Sequence, residues 1–270
     1  MKQFSILLIL GVLGIGACAA NGGGADGRGV SSTVPPQVET SAAPANTPST
    51  TTVDSPDSTT STTSEIAATT VPEREVVTIE VRSRESWGAS EPDADLTAHS
   101  IDRITVHHTA RPHDDTPMEE KLQRWQNYHQ SIGFGDIAYH MVIAADGTIY
   151  QGREYDYVGS TRTSYDPTGH FLPSLDGMFD ELWDSPNDDD DEPDGADELS
   201  AEQLGSLLDL LAWASVEFGI PPAEIAGHRD YAATACPGTV VHEMLQSGEI
   251  AERVQERIDT SDFELVFIDG

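Results

Sequence analysis

One stretch of the chain sets an imidazole and a thiol on a single short loop: Gly227-His228-Arg229-Asp230-Tyr231-Ala232-Ala233-Thr234-Ala235-Cys236-Pro237-Gly238. Neutral imidazole nitrogen and deprotonated cysteine sulfur are ligands that zinc takes in a tetrahedral shell. The spacing is too wide for one helical turn, so the loop has to fold back on itself. Pro237-Gly238 supplies a turn directly after the thiol. A third ligand has to come from elsewhere. The apolar run Ile104-Thr105-Val106 ends in the pair His107-His108. Successive strand residues point to opposite faces, so only one of the two can look at a given metal, and alternation alone does not choose. A structural zinc would need a fourth protein ligand, and none stands at an obvious spacing. His242 is the nearest spare, and the turn at Pro237-Gly238 carries it away. Three ligands leave a corner for water, whose pKa the metal lowers to roughly 7, suited to attack on an amide carbonyl.

Val106-His107-His108-Thr109, Asp136-Ile137-Ala138-Tyr139-His140 and Gly227-His228-Arg229-Asp230…Cys236-Pro237-Gly238 resemble the type-2 N-acetylmuramoyl-L-alanine amidases, a family that includes the peptidoglycan recognition proteins. Arg84-Glu85-Ser86-Trp87-Gly88-Ala89 resembles the motif that opens the recognition-protein domain. The similarity spans about Val76 to Asp259, with four motifs in order. It implies that His107, His228 and Cys236 are the Zn2+ ligands, with His108 structural. It implies that Tyr139 and Thr234 are the catalytic donors to the oxyanion. It also implies that Arg229 and Phe134 meet the stem peptide: diaminopimelate-preferring relatives carry Gly-Trp where this chain has Gly133-Phe134. Tyr157-Val158-Gly159-Ser160 resembles the family's Val-Gly-Ala-His segment, but Ser160 and Thr161 replace the small residue and the His.

Several elements have to position these groups. Val76 to Val81 and Ile101 to His107 read as strands. Thr116-Pro117-Met118-Glu119 reads as a helix start, with Thr116 as cap, Pro117 at the first helical position and Glu119 closing a capping box. Met118, Leu122, Trp125 and His129 then share one helical face, which reads as core. Ile137 to Ala144 is a predicted strand that turns at Asp146-Gly147 into Thr148-Ile149-Tyr150. Ser200-x-x-Gln203 opens an amphipathic helix through Leu204, Leu207, Leu208, Leu211 and Phe218, closing near Gly219. Helical segments follow at Val240 to Leu245 and Ile250 to Ile258, and residues 261–270 read as a tail.

The rest of the chain bounds where such a site would work. Residues 1–18 read as an export signal, with Lys2 as the basic region and an apolar stretch from Phe4 to Gly16. Ile15-Gly16-Ala17-Cys18 resembles a lipoprotein box with lipidation at Cys18; ordinary cleavage nearby is the alternative, and it would leave the protein secreted. Residues 19–75 are rich in Ser, Thr, Pro and Gly, too poor in large apolar side chains to offset ordering entropy, and read as a disordered tether. As a coil it would span ~40 Å. Acidic side chains number 47 against 14 basic ones, a formal charge of -33, which argues against nucleic acid as a partner. Residues 180–198 form an acidic insertion. Asp190-x-Glu192-x-Asp194-Gly195 mimics the start of a calcium loop, but Ala201 stands where a Glu would be needed.

The expectation is an α/β protein with a single mixed sheet flanked by the helices at 117–131 and 200–218, spanning residues 76–260. It is a monomer tethered in the cell envelope that hydrolyses the amide between N-acetylmuramic acid and L-alanine in peptidoglycan or muramyl peptides. A non-catalytic peptidoglycan-binding module is the rival reading. Such modules commonly lose the Cys ligand, and Cys236 is present.

Overall fold

The computed structural model describes residues 74–181 and 195–269. The signal segment with Cys18, the tether as far as residue 73 and residues 182–194 of the acidic insertion lie outside the described residues. In chain order the elements are β1 (Glu75–Arg82), a 3-10 turn (Glu85–Trp87), β2 (Arg103–His108), α1 (Met118–Ser131), β3 (Met141–Ile143), β4 (Ile149–Gln151), β5 (His170–Phe171) and β6 (Pro173–Leu175). Then come α2 (Ala201–Phe218), a 3-10 turn (Pro222–Glu224), β7 (Ala226–Gly227), a third 3-10 turn (His228–Asp230), α3 (Thr239–Gln246), α4 (Glu249–Thr260) and β8 (Ser261–Ile268).

The strands make one eight-stranded sheet. It is mixed, because β3 and β4 pair antiparallel and the other pairs are parallel. The hub is β2. β5 and β6 follow it in one register, with Arg103 opposite His170 and His107 opposite Ser174. β7 joins it through Val106 and Gly227. Alternation then sorts side chains onto two faces. Ile104, Val106, Met141 and Ile143 pack with Leu207 and Leu211 of α2 and Val254 of α4. Val142 and Tyr150 instead join Leu122 of α1, Trp87 and Ile137. By the same period of two, His107 emerges on the α1 side and His108 on the α2 side. Leu122 is fully buried in the smaller cluster, and truncating it to Ala would cost about 2–5 kcal/mol.

The helix starts differ from each other. At α2 the Ser200 hydroxyl accepts the Gln203 N–H at 3.0 Å, and Gly219 ends the helix with φ 68°. The Gln203 amide does not reach back; it donates to Ile143 O and Asp176 O, both at 2.9 Å, and so pins α2 to the sheet. At α1 the expected capping box does not form. Pro117 occupies the cap position, without a side-chain cap. Proline has no N–H for a Glu carboxylate to accept, so the reciprocal bond is impossible. Glu119 accepts the Tyr150 hydroxyl at 3.2 Å instead.

Two further expectations are corrected. Residues 261–268 are not a tail: β8 pairs with β1 in parallel from Glu75↔Ser261 to Arg82↔Ile268 and carries the domain beyond residue 260. Phe263 and Leu265 pack on the main core while Asp262 and Glu264 face solvent. The predicted strand over 137–144 shrinks to Met141–Ile143. Tyr139 lies ahead of it, where Arg153 N–H donates to Tyr139 O at 2.8 Å and Ser160 N–H to Ala138 O at 3.1 Å.

Candidate metal centre and its groove

The end of β2 and the loop after β7 meet because Gly227 pairs with Val106, two residues from the strand's end. Gly227 has to be small: a Cβ there would lie 2.9 Å from Pro237 Cδ. The 3-10 turn that follows is tied by Asp230. One carboxylate oxygen accepts the Gly227 N–H at 2.8 Å and the other meets His242 and Gln246 of α3 at 3.1 and 3.0 Å. That turn delivers His228. The loop then returns through Thr234, whose hydroxyl accepts the Cys236 N–H at 3.2 Å. Gly238, at φ 91°, passes so close to Phe179 that a Cβ would stand 2.2 Å from its carbonyl oxygen. Both contacts hold the loop against the sheet.

His107, His228 and Cys236 come together. One donor atom from each lies within 4.8 Å of the others, and all three residues are buried. His107 Nδ1 is 3.5 Å from Cys236 Sγ, and the two imidazole centroids are 4.5 Å apart. Burial, reinforced by the neighbouring His228, holds the His107 pKa well below the usual histidine value, so the ring is neutral and able to ligate. The His108 N–H points at Cys236 Sγ from 3.4 Å, a donor placed to favour a thiolate. The donor set fits zinc on a further count: His228 Nδ1 is a buried nitrogen with no hydrogen-bond partner. Such an orphan costs about 1–3 kcal/mol unless something compensates it.

The neighbouring histidines are held differently. His108 packs on Phe179 with ring centroids 6.3 Å apart, and its Nδ1 accepts the Phe179 N–H at 3.3 Å. Burial drives its pKa down to about 3. His242 is occupied by Asp230.

A groove opens from the centre along α1. Tyr139 lines it, with its ring centroid 5.6 Å from that of His107 and its hydroxyl 3.5 Å from His108 O. Phe134 lines it too and stacks on His129 at 5.4 Å. His129 is therefore a wall of the groove rather than core, its Nδ1 accepting the Ala138 N–H at 3.1 Å. Trp125 and Tyr128 continue the wall, and Arg111 and Arg162 bring positive charge. The Arg162 guanidinium donates to the Tyr128 hydroxyl at 2.8 Å. Arg229 does not line this groove. Its guanidinium is drawn to the Asp180 carboxylate at 3.2 Å and to Ala235 O at 2.5 Å. Thr234 is not among the wall residues either; its hydroxyl accepts the Cys236 N–H.

The sequence reading passed over Arg162, Thr163 and Tyr165, and met Thr161 only as a departure from the family's segment. Thr163 Oγ1 lies 2.7 Å from His228 Nε2, and the Tyr165 hydroxyl 3.3 Å from His107 Nε2. The available signal was the alternation Thr161-Arg162-Thr163-Ser164-Tyr165, which puts every hydroxyl of one side toward the histidines.

Comparison with known proteins identifies the family and the fold. Residues 97–239 match the sequence model of the family described as N-acetylmuramoyl-L-alanine amidase. Mouse peptidoglycan recognition protein 1 is 30% identical over 173 residues, covering 62% of this chain and 86% of that protein. The Drosophila melanogaster peptidoglycan-recognition protein SC2 is 27% identical over 169 residues, 61% of this chain and 83% of its own. The human N-acetylmuramoyl-L-alanine amidase is 28% identical over 151 residues, only 23% of its length. Among solved structures, peptidoglycan recognition protein-LE in complex with tracheal cytotoxin shares the fold, with TM-score 0.52 and 22% identity over 66% of this chain and 98% of that one. With the family's model matched across more than half its length, from ahead of His107 to beyond Cys236, this chain belongs to the N-acetylmuramoyl-L-alanine amidase family.

Proposed function

We propose that the protein is a zinc-dependent amidase that hydrolyses the bond between the lactyl group of N-acetylmuramic acid and L-alanine in peptidoglycan. The observation that carries this reading is the meeting of two imidazoles and one sulfur, together with a buried His228 Nδ1 that has no hydrogen-bond partner. His107, His228 and Cys236 would hold the metal. When bound, zinc with three protein ligands polarises a carbonyl and lowers the pKa of a water to about 7.

The chain's own residues supply the rest. Tyr139, on the groove wall beside His107, donates its hydroxyl to the oxygen that gains charge as the carbonyl becomes tetrahedral. Thr234 is the second donor in this reading: it accepts from Cys236 N–H, which leaves its own proton to give. Phe134, Trp125 and Tyr128 offer aromatic faces to a peptide or sugar, and Arg111 and Arg162 attract the carboxylates of a stem peptide. In a chain of formal charge -33, local cations are needed to bring an anionic substrate in. Arg229 contributes by tying the ligand loop to Asp180. The low-complexity tether and Cys18 support a place in the cell envelope, anchored by lipid.

The test is digestion of muramyl peptides by the zinc-loaded protein, read by mass spectrometry. The expected products are the stem peptide with a free alanine amine and the sugar with a free lactyl carboxylate. Binding of the same peptides without cleavage would replace this account with that of a recognition module.

A further inference from the structure

We infer that Thr163 and Tyr165 are positioning residues for the metal centre: one short segment places a hydroxyl behind each of the two ligand imidazoles and fixes which nitrogen is left to bind. The inference rests on the zinc reading of the site and extends it to residues that are not ligands. Thr163 Oγ1 is 2.7 Å from His228 Nε2, and the Tyr165 hydroxyl is 3.3 Å from His107 Nε2. On both rings the hydroxyl takes Nε2 and leaves Nδ1. His107 Nδ1 is the atom near Cys236 Sγ, and His228 Nδ1 is the one with no partner.

The segment is built for this role. Burial alternates along it, with Thr161, Thr163 and Tyr165 turned inward and Arg162, Ser164 and Asp166 exposed. The inward hydroxyls form a chain. Thr161 Oγ1 accepts the Thr163 N–H at 3.1 Å and stands 2.8 Å from Thr163 Oγ1. If the Thr163 proton goes to Thr161, the remaining lone pairs of Thr163 face His228 Nε2 and require that nitrogen to carry the hydrogen. The Nδ1 lone pair is then free for a cation. Tyr165 is braced in turn by stacking on Tyr231 at 5.6 Å and by its edge-on contact with the His228 ring at 5.1 Å. One loop thus supplies the hydroxyl that neighbours Nε2 of each histidine. Partners of this kind, when lost, cost ligated metals about 10–100-fold in affinity.

The experiment measures zinc affinity by competition with a chromophoric chelator, together with the visible spectrum of the cobalt-substituted protein. The proteins are wild type, Thr163→Val, Thr163→Ser and Tyr165→Phe. Thr163→Val keeps the shape and removes the hydroxyl; its zinc affinity should fall about 10–100-fold with a shifted cobalt band. Thr163→Ser restores the acceptor and should return to within about threefold of wild type. Tyr165→Phe, which loses a longer contact, should fall about 3–10-fold and carries the test alone if Thr163→Val does not fold. Wild-type affinity and an unchanged cobalt spectrum in Thr163→Val and Tyr165→Phe would overturn the inference while leaving the zinc site standing. A wild-type protein that takes up neither metal would overturn both.

Discussion

His140 and His228 are equally shut off from solvent, at 0% and 2% exposure, and they are satisfied in opposite ways. His140 Nε2 meets Tyr157 O and its Nδ1 accepts the Leu172 N–H, each at 2.9 Å. Its ring stacks on Phe171 at 5.7 Å. His228 has threonine hydroxyls at Nε2 and no partner at Nδ1, and it is one of three residues whose donor atoms gather, the others being an imidazole and a sulfur. The first histidine is part of the frame; the second keeps one nitrogen unpartnered, as the proposed role as a ligand requires. His108 shows that an orphan alone is not enough. Its Nε2 also lacks a partner, yet it is not among the three gathered donors.

This contrast is sharpest when each imidazole is removed. His228→Ala should lose bound zinc and lower amidase turnover by ~1,000-fold or more, because the water would keep its ordinary pKa; with zinc absent from both proteins its denaturation midpoint should fall less than that of His140→Ala, since the change also removes an unpartnered buried nitrogen. His140→Ala should keep its zinc and lose about 3 kcal/mol of stability, since it leaves a cavity and strands the Leu172 N–H and the Tyr157 carbonyl. Metal analysis and urea denaturation of the two variants side by side would break the comparison if the effects were exchanged or shared.

Tyr139→Phe probes the groove side of the centre. If its hydroxyl meets the developing oxyanion, turnover should fall ~100-fold with KM and zinc content unchanged, as for loss of one such donor. A change in KM alone would make Tyr139 a binding residue.

The smallest effect is on pH. Burial holds the His140 pKa down to about 3 in the folded protein, against a usual value near 6.5. Between those pH values the unfolded chain binds a proton that the native chain refuses. Stability from this residue is therefore complete above about pH 6.5 and is lost as pH falls, by up to about 1.4 kcal/mol per unit. Zinc-free wild type should lose about 2 kcal/mol from it between pH 7 and 5, and His140→Gln should show a flatter profile over that range. Parallel profiles would mean that His140 is not shielded as the structure shows.

The same contrast explains what could be read from the chain. Ligand types announce themselves, so His107, His228 and Cys236 stood out by chemistry and motif, and α1 and α2 by their apolar spacing. Support by hydroxyl groups does not announce itself. Thr163 and Tyr165 look like ordinary loop residues until the fold sets them behind the histidines. Arg229 reads as a free cation because nothing local reveals that Asp180 will capture it. Strand β8 was missed because its inward residues Phe263 and Leu265 alternate with acids in a short terminal run, and only pairing with β1 gives that pattern a partner. His129 shares a helical face with core residues, and only the path of residues 134–139 turns it into a wall of the groove.

The central claim is that His107, His228 and Cys236 grip one zinc ion. X-ray absorption at the zinc edge of the loaded protein tests it most directly. The account predicts one sulfur near ~2.3 Å and two imidazole nitrogens near ~2.0 Å, with the sulfur contribution gone in Cys236→Ser. A zinc shell without sulfur in the wild type, or one unchanged in Cys236→Ser, would contradict it.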